Sequence, residues 1–221
     1  MIAGVQLKVC GLTSALDAER AERCGADCFG FILYPGSPRF VSVDRFRAIA
    51  PSLPPRRTVA VSVEPSLDDL EAQRDAGFDF FQIHFRPGEG EARLAAWSLA
   101  AGAGRLWLAP RLPPGAEIAP AWPALADAFL LDAYSANKFG GTGRTGDWPA
   151  FARRQAAHPE RTWILSGGLA PANIGDALRA TGARFVDVNS GVESAPGVKD
   201  PEKLKAFAEA LRRGRAASGP A

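Results

Sequence analysis

The segment Val5–Gly11 reads VQLKVCG, an apolar strand pattern that runs into a glycine and then into an Ala-rich helical pattern over residues 14–24. Side chains alternate along a strand, so Lys8 and Cys10 are predicted to share one face while Val9 lies on the other. Strand–helix units of this kind build α/β proteins, whose reactive groups lie at the carboxyl ends of the strands. The segment therefore predicts a parallel sheet with Cys10 at its functional edge.

The strand–helix pattern recurs along the whole chain, in pairs of about 20 to 35 residues. Eight strands are predicted, over residues 6–10, 28–33, 58–63, 80–84, 105–109, 128–132, 162–166 and 185–189. Helices are predicted over residues 14–24, 43–50, 67–76, 91–101, 148–157, 171–180 and 201–213. Ser14, Ser42 and Ser66 are predicted helix N-caps, and Pro171 and Pro201 are predicted to stand in first helical turns.

One interval departs from this pattern. Residues 112–125 contain four prolines, which predict an irregular element in place of a regular fifth helix. The fold class predicted is a (β/α)8 TIM barrel that forms a single domain over residues 1–221, with a frayed basic tail from about residue 212. A doubly wound open sheet is the alternative.

Composition narrows the class of protein. The chain has 221 residues, 47% hydrophobic and 23% charged, and its formal net charge is only +2. No apolar run approaches the roughly 18 residues of a membrane span, and the N-terminus lacks a signal-peptide pattern, so a cytoplasmic location is expected. The three cysteines lack zinc-type spacing, and the basic residues are dispersed, which argues against structural zinc and nucleic acid. A small-molecule partner is expected.

Polar residues gather where the predicted strands end. Cys10 follows the first strand and Asp132 the sixth, and in a barrel these positions meet at one mouth. We identify the two as candidate proton-transfer residues. Burial of the cysteine as a packing residue and an aspartate that caps a strand are the alternatives.

Small residues follow the last two strands, in Ser166–Gly168 and Asn189–Gly191. Because barrels often hold phosphate at these loops, Gly167, Gly168, Asn189, Ser190 and Gly191 are predicted to bind a phosphate group. Tight turns are the alternative explanation for the glycines.

A further glycine-rich segment over residues 140–144 includes Gly141 and Arg144 and follows strand six. It is predicted to close over a ligand, or else to be a plain surface loop.

Two more polar groups are predicted inside the barrel. His84 shares a strand face with Gln82, and is either a substrate contact or a structural histidine. Asp187, on strand eight, is predicted to pair with Lys8, because strands one and eight are neighbours in a closed barrel.

These residues, in this order, resemble the phosphoribosylanthranilate isomerases of tryptophan biosynthesis. The resemblance spans nearly the full length and rests on segments 8–13, 30–42, 130–132, 140–143, 147–148, 166–169, 186–193, 196–197 and 199–200. Departures lie after strands three and four, where Glu64, Phe85 and Arg86 replace the usual residues, and Asn189 stands where serine is common. Those departures bear on substrate contacts at that side of the mouth more than on the reaction.

The resemblance implies an Amadori rearrangement of N-(5-phosphoribosyl)anthranilate that needs neither cofactor nor metal. It implies that Asp132 is the general acid, that Cys10 is the general base and that Arg39 holds the anthranilate carboxylate. Two alternatives are another isomerase of phosphoribosyl amines, which would carry an aspartate in place of Cys10, and a noncatalytic sugar-phosphate-binding protein. The sequence is compatible with a monomer or a homodimer.

Overall fold

The computed structural model describes residues 1–133 and 146–217. Eight parallel strands close into one barrel in sequence order. They are β1 (Gln6–Val9), β2 (Cys28–Ile32), β3 (Arg57–Val63), β4 (Phe80–Phe85), β5 (Leu106–Pro110), β6 (Ala128–Leu131), β7 (Thr162–Leu165) and β8 (Phe185–Val188). The helices are α1 (Ala15–Arg23), α2 (Val43–Ile49), α3 (Leu67–Asp75), α4 (Glu91–Ala101), α5 (Trp148–Ala157), α6 (Ile174–Thr181) and α7 (Pro201–Ala217). The predicted barrel is confirmed, and none of the described helices is long and apolar enough to cross a membrane.

The barrel closes where β1 pairs with β8, and Lys8 lies opposite Asp187 in the register. The predicted alternation of faces is confirmed. Val5, Leu7 and Val9 pack outward in the layer between the sheet and the helices. Cys10 packs in a separate inner cluster with residues of the other strands, among them Val61, Leu130 and Ile164.

Local sequence signals explain most helix starts. The hydroxyl groups of Ser14, Ser42 and Ser66 each accept a backbone N–H of the first turn, which confirms the three predicted N-caps. The proline-rich interval between β5 and β6 forms only a short 3-10 turn, Trp122–Leu125, as predicted.

Three features of the fold differ from the predictions. Helix α6 begins at Ile174, so Pro171 is not in its first turn, because Asn173 accepts the Ala170 N–H and donates to Gly168 O in a closed loop. Helix α7 runs on to Ala217, so the first part of the expected frayed tail is helical. A short antiparallel hairpin, β9 (Glu193–Ala195) and β10 (Val198–Lys199), follows β8 and was not predicted.

Candidate active site

A cavity of about 480 Å³ opens at the carboxyl ends of the barrel strands. Eight of the ten residues predicted from the sequence line it, namely Cys10, Arg39, His84, Asp132, Gly167, Gly168, Asn189 and Ser190. Gly191 is not among the lining residues, and Gly141 lies outside the described residues. The cavity therefore brings together side chains from the first, second, fourth and sixth strand ends and the two small-residue loops.

Cys10 stands one residue beyond the last residue of β1, where its backbone N–H still donates to Val188 O of β8 at 2.9 Å. Its side chain is buried but lines the cavity. Burial raises the pKa of the Cys10 thiol, whereas the Lys8 ammonium beneath it favours the thiolate and opposes that rise.

The ion pair predicted between Lys8 and Asp187 is present inside the barrel, with Lys8 Nζ 2.9 Å from Asp187 Oδ1. The Lys8 side chain is 0% exposed. Burial disfavours the ammonium, but attraction to Asp187 and Cys10 outweighs it and raises the pKa of Lys8 above its ordinary value. Lys8 therefore serves both groups at once: it neutralises Asp187 and lends positive charge to Cys10.

Asp132 follows β6 directly and lines the cavity. Burial raises the pKa of its carboxyl group to about 6, while a hydrogen bond from the Ala133 N–H at 2.7 Å works against that rise. Gly167 leaves room for this arrangement, because a Cβ there would lie 2.4 Å from Ala133 N. A carboxyl group in this state can deliver a proton near neutral pH.

Arg39 reaches the cavity from the loop after β2 and is held by Glu193 of the β9–β10 hairpin. Its Nε and Nη2 donate to the Glu193 carboxylate, with Nη2 2.6 Å from Oε2. The hydrogen bonds with Glu193 raise the pKa of Arg39. Arg39 and Glu193 are 154 positions apart, so their spacing in the sequence did not indicate that they pair.

His84 and Gln82 lie on the same face of β4, as predicted, and both line the cavity. The side-chain nitrogen of Gln82 lies 2.8 Å from His84 Nε2. Burial, together with the charge of Lys8, lowers the pKa of His84 to about 4, so the imidazole is neutral.

The two small-residue loops lie side by side. Gly168 and Ser190 both line the cavity, whereas Gly191 lies behind them. A Cβ on Gly191 would stand 2.0 Å from Leu169 O, so only glycine permits this approach of the loop after β8 to the loop after β7. The glycine therefore positions the loops.

Two further cations at the mouth had no role assigned from the sequence. Arg111 comes directly after β5 and lines the cavity, a position that the strand end alone would have identified. Arg86 lines the cavity as well, and Glu64 accepts its backbone N–H at 3.0 Å. Phe85, which was expected to reshape the mouth, instead packs outward against Trp97 and Trp122.

A family model, a curated relative and two solved structures point to one family. The model of the N-(5'-phosphoribosyl)anthranilate (PRA) isomerase family matches residues 7–210. The N-(5'-phosphoribosyl)anthranilate isomerase of Magnetococcus marinus is 36% identical over 217 residues, which is 97% of this chain and 99% of that protein. The crystal structure of the phosphoribosyl anthranilate isomerase from Thermus thermophilus matches with a TM-score of 0.76 and 34% identity, over 94% of this chain and 98% of that one. A phosphoribosyl anthranilate isomerase in complex with reduced 1-(o-carboxyphenylamino)-1-deoxyribulose 5-phosphate matches with a TM-score of 0.70 and 27% identity, over 95% and 99% of the two chains.

Proposed function

The chain belongs to the N-(5'-phosphoribosyl)anthranilate isomerase family, and from that premise we propose that Cys10 and Asp132 are the base and the acid of its reaction. The enzyme is an isomerase of tryptophan biosynthesis, and its reaction is the Amadori rearrangement of N-(5-phosphoribosyl)anthranilate to 1-(2-carboxyphenylamino)-1-deoxyribulose 5-phosphate. One observation carries the assignment: the thiol, the carboxyl group, Arg39 and the two small-residue loops border one cavity.

Asp132 acts first, as the general acid. Its protonated carboxyl group donates to the furanose ring oxygen, the bond from that oxygen to C1 breaks, and the nitrogen lone pair forms an iminium at C1. The raised pKa of Asp132, about 6, supports this role, because a carboxyl group with its ordinary pKa would be almost entirely ionised at neutral pH.

Cys10 acts second, as the general base. Its thiolate removes the proton from C2, the electrons of that bond form a C1–C2 double bond, and the electrons of the iminium return to nitrogen. The resulting enolamine gains a proton at C1 and loses the hydroxyl proton at C2, which leaves the ketone. The Lys8 ammonium supports the role of Cys10, since it favours the thiolate inside a buried site.

The remaining groups bind the substrate. The guanidinium of Arg39 suits the planar anthranilate carboxylate. The backbone at Gly167, Gly168, Asn189 and Ser190 is proposed to hold the phosphate, at the strand-seven and strand-eight loops that barrels use for this purpose. Neutral His84 lines the cavity and is proposed as a polar contact of the substrate. The proposed partner is thus a small phosphorylated molecule, and a cytoplasmic location fits a biosynthetic enzyme.

The decisive experiment supplies phosphoribosylanthranilate to the purified protein and to the variants Cys10→Ser and Asp132→Asn. We expect turnover by the intact protein and a loss of about 100-fold or more in kcat for each variant, the usual scale of acid or base catalysis. Both replacements are close in size to the original side chains, so we expect both variants to fold. Thermal unfolding midpoints close to that of the intact protein would show that they do. Wild-type activity in either variant would remove that residue from the mechanism.

A further inference from the structure

The β9–β10 hairpin places a lysine, Lys199, behind the cavity wall, with its side chain 0% exposed. Its backbone is fixed to α1, because the Lys199 N–H donates to Asp17 Oδ2 and its carbonyl accepts from Arg20. Its ammonium lies 2.8 Å from Glu193 Oε1 and 3.0 Å from Asn189 Oδ1. The lysine is therefore held in place and contacts Asn189, which lines the cavity, and Glu193, which holds Arg39.

Glu193 is shared between two cations. Its side chain is 4% exposed, and it contacts Lys199 through Oε1 while it receives Nε and Nη2 of Arg39. Burial opposes its charge, yet the bonds from Arg39 and the attraction of Lys199 lower the pKa of Glu193 below its ordinary value. The carboxylate is therefore ionised. Burial lowers the pKa of Lys199, but the Glu193 carboxylate 2.8 Å away opposes that shift and favours the ammonium. With both cations protonated, the three groups together carry one net positive charge.

The direction of the Glu193 contact matters for Arg39. Glu193 takes the Nε and Nη2 side of the guanidinium, which leaves the Nη1 and Nη2 end as the second pair of donors that a carboxylate can engage. If Glu193 faced Arg39 without Lys199, the pair would be neutral, and its attraction for an incoming anion would be weak.

We propose that Lys199 is a positioning residue that offsets the charge of Glu193, so that Glu193 fixes the direction of Arg39 without cancelling the positive charge that Arg39 offers to the substrate carboxylate. The inference rests on the proposed role of Arg39. It adds that the affinity for the carboxylate depends on a buried lysine behind the site.

The test measures binding of two ligands by calorimetry. One is reduced 1-(o-carboxyphenylamino)-1-deoxyribulose 5-phosphate, and the other is the same compound without the carboxylate. For Lys199→Met we expect about tenfold weaker binding of the first ligand and less than about twofold change for the second. Lys203→Met is the matched control, because Lys203 lies near the same hairpin but donates to the backbone oxygen of Glu193, at 2.7 Å, and not to its carboxylate. We expect the control to change neither affinity by more than about twofold.

The double variant Glu193→Gln, Lys199→Met separates charge from packing. It removes both buried charges and restores one net positive charge beside the cavity, while the amide oxygen of the glutamine can still accept from Arg39. We therefore expect affinity for the carboxylated ligand within about threefold of wild type. This comparison with wild type stands even if Lys199→Met alone fails to fold. Equal losses for both ligands, or no recovery in the double variant, would overturn the proposal. If the wild-type protein itself bound both ligands equally, Arg39 would not contribute to binding of the carboxylate. That result would contradict the proposed role of Arg39 and, with it, this inference about Lys199.

Discussion

At the scale of single residues, the proposed general acid Asp132 loses its proton at a lower pH than the proposed general base Cys10. The mechanism needs the reverse, with the proton on Asp132 and the thiolate on Cys10. Asp132 has a pKa of about 6, and burial holds the pKa of Cys10 above its ordinary value. Between those two values the pair holds one proton, most of it on the thiol. The active arrangement, with the proton on Asp132 and a thiolate on Cys10, holds the same number of protons but is less populated. It is replenished by proton exchange as it reacts.

This order fixes the expected pH profile. Below pH 6 both Asp132 and Cys10 are protonated and no base remains, so kcat/KM should fall about tenfold for each pH unit. On the alkaline side the decline should begin only above the ordinary pKa of a thiol, where the shared proton is lost. Steady-state kinetics across the acidic and alkaline range would test this.

The control for the pH profile is Asp132→Asn. The substrate phosphate also titrates near pH 6, but a break in the profile that comes from Asp132 disappears in the variant. The residual kcat/KM should then keep rising with pH beyond 6 until Cys10 itself ionises, because only the thiolate is still required. A break that persists unchanged in the variant would assign it to the substrate instead.

At the scale of elements, the loops after β7 and β8 depend on one close contact, between Gly191 and Leu169 O. Gly191→Ala should force the two loops apart and weaken inhibition by inorganic phosphate about tenfold, because the backbone groups that hold the anion no longer converge. Inhibition constants for phosphate would measure this. Gly104→Ala is the matched control, since nothing lies within 4 Å of its added methyl group. Unchanged phosphate inhibition in Gly191→Ala would contradict the assignment of these loops.

The elements also show what the sequence could and could not reveal. Strand positions were predictable to within a residue or so, because several apolar runs are followed directly by a polar loop residue such as Cys10, Asp132 or Ser166. The β9–β10 hairpin was not predictable, since strands of three and two residues are too short to show alternation. The contacts among Arg39, Glu193 and Lys199 were not predictable either, because Arg39 is distant in sequence from the hairpin that carries the other two. The last turn of α7 was not predictable for a similar reason, because Gly214 lies against Gly175 of α6, a residue distant in sequence.

At the scale of the whole molecule, we expect residues 1–221 to unfold as one domain. Lys8→Met leaves Asp187 buried without its cation, which should lower the free energy of unfolding by about 3 to 5 kcal/mol. Because the pair joins β1 to β8, the loss should shift the whole transition. Urea unfolding can be followed by circular dichroism and by tryptophan fluorescence. The two probes should give coincident curves for the wild type, and again for the variant at lower urea concentration.

The double variant Lys8→Met, Asp187→Asn is the control for that measurement, because it removes both charges and should recover much of the loss. Two separate transitions would argue against a single domain.

The closure of the barrel also sets the order of events during synthesis. Lys8 and Asp187 are 179 positions apart. At a translation rate of about 5–20 residues per second, β8 is made roughly ten to forty seconds after β1. Throughout that interval the Lys8 ammonium remains hydrated, since its burial without Asp187 is too costly. The first strand of the barrel therefore cannot be sealed by its ion pair until the last strand of the barrel has been made.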